Sequence, residues 1–296
     1  MGSRQSSPVN GSSSPQPGSV LTLTARIRGI GLLGPGLDDW AGSIAVLAGT
    51  TPYAARPTVV PTLAALPAAE RRRTGTVIKL ALAIGFEAVS HSGMKASQLP
   101  TVFSSSGGDG NNCHEICQSL ASSDRQISPT RFHNSVHNAA SGYWSIAAVA
   151  TPASNVLCAF DASFGAGLLE ALTQVVVERT PVLLVAYDSG YPEPLRAVRP
   201  IPDLFGVAMV LEPVGEQLAS GAMTTNAGQP LARITATLTS AVATQMPDAQ
   251  LEAVRATIPA ARSLPLLSKL ARREPGHVVL DYLETQRIAV EVSECR

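Results

Sequence analysis

The sequence predicts an α/β fold, a mixed sheet with helices on its flanks, and three observations carry that prediction. An apolar run at residues 155–160 is followed by a small-residue turn at 161–167, an apolar-periodic segment at 168–177 and a second apolar run at 181–187. Strand, tight turn, helix and returning strand in that order make a βαβ unit of a parallel sheet. An alternating stretch, LTLTARIRGIGLLG, begins at Leu21, and a helical pattern over residues 67–92 carries its apolar stripe through Ile78, Leu82 and Phe86. At 296 residues and 45% hydrophobic content, the chain can bury the core such a sheet requires.

Taken in order, residues 1–20 hold almost nothing to bury and read as a disordered leader. The first strand ends in Gly29-x-Gly31-x-x-Gly34, the form of a dinucleotide fingerprint. Pro35 and Gly36 interrupt where the helix must start, and no acidic residue follows near the twentieth position, so nucleotide binding is not expected. A short helix at 38–48 is capped by Asp38 or Asp39. Pro67 opens the long helix at its first position, and Arg71, Arg72 and Arg73 form a basic patch on it. A strand at 100–106 runs into a glycine-rich loop at 104–110. Cys113 and Cys117 then share a helix face and are expected to be small core residues, since His114 projects elsewhere and no second cluster completes a zinc site. Beyond the βαβ unit, a Pro-rich loop at 190–202 leads to strands at 204–212 and 231–241 around a loop at 213–230. Helices at 248–258 and 262–273 and a hairpin at 277–283 and 287–292 complete the chain.

Composition removes several function classes. Lys plus Arg equals Asp plus Glu at 22 each, so no global charge points to nucleic acid or an acidic membrane. No apolar run is expected to be long enough for membrane insertion. The four cysteines, Cys113, Cys117, Cys158 and Cys295, have no spacing of a disulfide framework, and a reducing cytoplasm is the expected compartment. No cofactor and no metal is expected.

Three segments then stand out: Ile127-Ser128-Pro129, Ser141-Gly142-Tyr143-Trp144-Ser145-Ile146 and Asp161-Ala162-Ser163-Phe164-Gly165. Their order and spacing resemble the nucleophile region of β-ketoacyl synthases, which have the thiolase-like fold. The resemblance implies a ketosynthase-like N-terminal domain at residues 21–212, with a short extension at 213–296 where the family has a second half. It places Ala162 where the family has its acyl-accepting cysteine, and a methyl group cannot supply a thiolate. It therefore implies a non-catalytic subunit of the chain-length-factor type. Such a subunit pairs with an active β-ketoacyl synthase and works with acyl carrier protein in fatty acid, polyketide or aryl-polyene elongation. Arg71 to Arg73 read first as a solvated basic face, with a docking surface for that acidic carrier as the alternative.

The residues leave a second reading open, a stand-alone acyltransferase or hydrolase using Ser163 or Cys158 with His133 or His137. Ser163 sits in D-A-S-F-G, a poor version of the G-x-S-x-G elbow, and Cys158 falls inside the expected strand. His133 and His137 share a face if their segment is helical, and match neither of the family's catalytic histidines. They are expected as a hydrogen-bonded pair at a subunit seam. That seam is expected over residues 132–144, where small or polar Asn134, Asn138, Ser141 and Gly142 stand among Phe132, Tyr143 and Trp144.

Overall fold

A computed structural model describes residues 21–63, 65–215 and 229–295. The expected leader at 1–20 and most of the expected loop at 213–230 lie outside the described residues. Eight strands form one mixed sheet: β1 Leu23–Leu33, β2 Thr101–Ser104, β3 Ser154–Leu157, β4 Val182–Asp188, β5 Phe205–Glu212, β6 Ala232–Thr239, β7 Gly276–Leu280 and β8 Arg287–Ser293. Their spatial order is β3-β2-β4-β5-β1-β6-β8-β7. β2 pairs in parallel with β3 and β4, and every other pairing is antiparallel. The α/β class, the mixed sheet and the strand near 155–160 stand as the sequence predicts. The segment expected as a C-terminal extension contributes β6, β8 and β7 to this same sheet.

Helices cover both faces. On one side, α1 (Trp40–Leu47), α7 (Ser163–Glu178), α9 (Ala249–Thr257) and α10 (Leu264–Arg272) bury a cluster with Ile27, Phe164, Leu184 and Leu264. On the other, α3 (Thr76–Ser92) and α6 (Ala139–Ala148) pack Leu80, Ile84, Tyr143 and Trp144 onto Phe103, Leu183 and Val210. The short helices are α2 (Ala68–Arg73), α5 (Pro129–His133) and α8 (Leu195–Val198), and α4 spans Gly110–Ala121. Asp39 caps α1, its carboxylate accepting from the Gly42 amide.

The glycines that resemble a nucleotide fingerprint have a packing role. A Cβ at Gly29 or Gly31 would strike the carbonyl oxygens of Ala88 and Ile84 on α3, so β1 can lie backbone-to-backbone under that helix only with glycine there. Glu87 of α3 accepts from the Leu32 and Trp40 amides at 3.0 and 2.7 Å, fixing the exit of β1.

Five expectations change. The helix expected over 67–92 is two, because Thr74 returns its hydroxyl to the Arg71 carbonyl, Asn134 takes the Arg73 carbonyl at 2.6 Å, and Gly75 is extended. Pro67 precedes α2 instead of opening it. On α7, Leu168, Leu172 and Val176 are the expected buried stripe, but Val175 is buried with the two leucines while Val176 is 41% exposed. Seven residues return almost to the starting angle of a 3.6-residue helix and eight overshoot it. Cys113 and Cys117 are exposed, because α4 buries only Gly110 and Asn112 at its N-terminal end. Finally, the helical stretch Phe160–Glu178 is long and apolar enough to cross a membrane by length and composition, contrary to expectation. Half of it is buried inside this fold.

Candidate functional site

The site grows from the turn between β3 and α7. Cys158 and Ala159 leave the edge strand, Phe160–Ala162 make one 3-10 turn, and α7 starts at Ser163. The Ser163 hydroxyl donates to the Phe160 carbonyl at 2.7 Å and accepts from the Ala159 amide at 3.0 Å. Ser104 of β2 donates to the Ser163 carbonyl at 2.6 Å, tying the helix start to the sheet. Gly167 allows this approach, since a Cβ there would stand 2.8 Å from the Ser104 Cβ.

Phe160 is the unusual residue of the turn. Its φ is 51°, in the left-handed region that bulky residues avoid, and the residue is 62% exposed. The Arg199 guanidinium lies 3.8 Å from the ring centroid. Asp161 holds that guanidinium at 2.7 Å and the Arg262 guanidinium at 3.1 Å, so the loop carrying Arg199 and the 3-10 turn Pro259–Ser263 converge here. Ala162, the position matched to the acyl acceptor, has φ −85° and is buried.

Beside this turn, the glycine-rich loop is anchored by Asp188 at the end of β4. Its carboxylate is fully buried and accepts from the Ser106 amide at 2.9 Å, the Ser106 hydroxyl at 2.6 Å and the Ala260 amide at 2.7 Å. Burial pushes its pKa up to about 6, against the pull of those donors and of Arg199. Asp188 thus ties β4, the 105–110 loop and the Pro259–Ser263 turn into one unit. The sequence reading missed it, though an acid closing an apolar run, LLVAYD, was the available signal.

The residues of the alternative reading do not come together as a nucleophile and base. Both capacities of the Ser163 hydroxyl are used within the turn. Cys158 lies just past β3, not within it; it is exposed, and its thiol donates to the Ser106 carbonyl at 3.2 Å. His137 Nε2 is 3.3 Å from the Ser105 carbonyl oxygen. His133 is exposed, stacks edge-on to Tyr143 at 6.1 Å, and ends α5, so the two histidines do not share a helix face or form a pair. Among the described residues, no group of three or more His, Cys, Asp or Glu could hold a metal ion.

The nine residues expected at a seam divide into two sets. Asn134, Ser141, Tyr143 and Trp144 are buried within the chain, Tyr143 donating to Asn134 and Trp144 packing on Phe86 at 4.6 Å. Phe132, His133, Asn138 and Gly142 are exposed and His137 half-buried. Ile146 and Val149, at the end of α6, are exposed as well. β3 is the end strand of the sheet among the described residues: the Ala153 and Leu157 carbonyls face β2, which leaves the backbone groups of Ser154 and Val156 turned outward. A polar cleft of about 640 Å³ lies between the α2–α3 junction, the start of α4 and the loop after β4, with Arg73, Asp109, Arg131 and Asp203 on its walls.

Residues 48–272 match the β-ketoacyl synthase N-terminal domain. No curated protein sequence matches. Among solved structures, the chain is similar to one from a ketosynthase (ApeO) in complex with its chain length factor (ApeC) from Xenorhabdus doucetiae. The two are 26% identical with a TM-score of 0.67, over 91% of this chain and 99% of that one. The ishigamide ketosynthase/chain length factor gives 14% identity and a TM-score of 0.66, over 92% of this chain and 100% of that one. A type II polyketide acyl-carrier protein in complex with its hexaketide-bound ketosynthase (AntDE:AntF) gives 9% and 0.70, over 92% and 99%. The last two likenesses are of fold.

Proposed function

This chain belongs to the β-ketoacyl synthase family through its N-terminal domain, and we propose that it is a non-catalytic subunit of the chain-length-factor type. In this reading it pairs with an active β-ketoacyl synthase and takes part in acyl carrier protein-dependent elongation of a fatty acid, polyketide or aryl-polyene chain in the cytoplasm. The observation that carries the proposal is the turn between β3 and α7. It keeps the strand–turn–helix geometry that aims free N–H groups at a reacting centre, yet Ala162 is a methyl group and the Ser163 hydroxyl is committed to the backbone on both sides.

A subunit without its own nucleophile needs one supplied in trans. The outward backbone of β3 and the apolar side chains of Phe132, Ile146 and Val149 give a partner of the same fold a surface to cover. The structures of ketosynthases with a chain length factor and with a carrier protein support both partners. In this proposal residues 21–212 are the ketosynthase-like domain and 213–296 complete its sheet in place of a second half. The same turn offers the hydrolase reading no activated Ser163, and among the described residues no hydrogen bond joins His133 or His137 to Cys158.

The test is co-expression with the ketosynthase encoded beside it. The proposal predicts a stable 1:1 complex and elongation activity only when both chains are present. Elongation by this chain alone contradicts it.

A further inference from the structure

Resting on the ketosynthase-like reading of this site, we propose that Phe160, not Ala162, holds the place of the family's acyl-accepting residue, and that its ring and Arg199 close that place to acylation. An acceptor at a strand-to-helix turn sits on the strained residue that presents its side chain outward at the helix start. Only Phe160 in this turn meets that description. It is left-handed and exposed, whereas Ala162, two residues on, is buried with an ordinary backbone. Glycine is the relaxed choice for φ 51°. A phenylalanine persists there because neighbours impose the conformation: Ser163 grips the Phe160 carbonyl and the Ala159 amide, and the Ala162 amide donates to the Ala159 carbonyl at 2.9 Å.

The surroundings of residue 160 are those that favour a thiolate. α7 begins at Ser163, directly after the 3-10 turn that Phe160 opens, and runs 16 residues, and the Arg199 guanidinium, pinned by Asp161, lies over the side chain. A cation and a helix N-terminus together depress a thiol pKa. Phe160 occupies that field with an apolar ring and uses the guanidinium as a cation–π lid. A thiol introduced at 160 would attack the carbonyl carbon of an acyl thioester. The new carbon–sulfur bond replaces the bond to the leaving thiol, which takes up the proton the attacking thiol has lost.

The experiment compares Phe160→Cys with Ala162→Cys, each carrying Cys158→Ser, during incubation with a labelled acyl thioester of N-acetylcysteamine. Adducts are mapped to the residue by mass spectrometry. Phe160→Cys is expected to acylate at least about 10-fold faster and to alkylate with iodoacetamide at a lower pH than the remaining native cysteines. Faster acylation of Ala162→Cys, or a Phe160→Cys thiol no more reactive than the native ones, overturns the assignment. A second comparison does not depend on reactivity. Phe160→Gly and Phe160→Ala both remove the ring, so their difference reports the backbone alone. The glycine variant is expected to melt higher, and a higher melting alanine variant overturns the proposal. Both readouts use the chain without a partner, so their failure leaves the pairing proposal standing, and loss of pairing leaves this assignment standing.

Discussion

β3 and β4 are the two parallel strands joined by α7, yet they have opposite fates. All seven residues of β4 are buried, between β2 and β5, with helices on both faces. β3 has four residues, two of them exposed and two half-buried, and among the described residues no strand pairs with its outer side. Interactions that stabilise β4 are complete within the chain. Those that β3 can make are not. The difference separates substitutions that unfold the protein from substitutions that leave it folded and without a partner.

The largest expected effect is at the centre. Glu212 of β5 is fully buried and holds Arg26 at 2.9 Å and Arg28 at 3.1 Å on β1. Burial raises its pKa and the two arginines oppose the rise. Glu212→Gln removes the buried carboxylate that holds Arg26 and Arg28 to β5, at about 3 kcal/mol in urea unfolding, the lower end for a broken buried pair because both arginines are partly exposed.

Asp188 sharpens the comparison through pH. Its folded pKa of about 6 lies above the usual 3.8, so between those values the folded state binds more protons than the unfolded one. Its contribution is therefore present below about pH 4 and is lost as pH rises through 6, amounting to about 3 kcal/mol. Asp188→Asn should flatten the stability profile over that window. At pH 7 the same variant should cost about 2 kcal/mol, because an amide cannot accept from Ser106 and Ala260 with both of its ends.

At the edge the expected stability change is the smallest and has the opposite sign. A Cβ at Gly142 meets nothing within 4 Å, and the residue lies inside α6. Gly142→Leu should raise the stability of the isolated chain by about 0.5–1 kcal/mol through helix propensity, while weakening capture by the ketosynthase in size-exclusion chromatography. An unchanged complex moves the contact away from α6.

Most of the sheet was legible because its strands are bounded by proline, glycine or charge, and because continuous apolar runs such as 181–187 mark central parallel strands. What escaped depended on contacts distant in sequence. The Thr74–Gly75 break requires Asn134 to take the Arg73 carbonyl, 61 positions away. The exposure of Cys113 and Cys117 follows from α4 having a groove, not a helix, over its outer face. At the site, the resemblance found the turn but not its strained residue. The φ of Phe160 is set by the hydroxyl of Ser163, and only the folded turn shows that. Tyr143 and Trp144 look like interface anchors by composition; Gly85 on α3 leaves room for the Trp144 ring inside the chain.

The central claim is that a ketosynthase covers the open side of β3, and amide hydrogen exchange across Ser154–Leu157 tests it most directly. With the ketosynthase present, the outward amides of Ser154 and Val156 should slow by at least about 10-fold, while β4, already protected, should not change. Equal exchange at β3 with and without a bound ketosynthase would contradict the account.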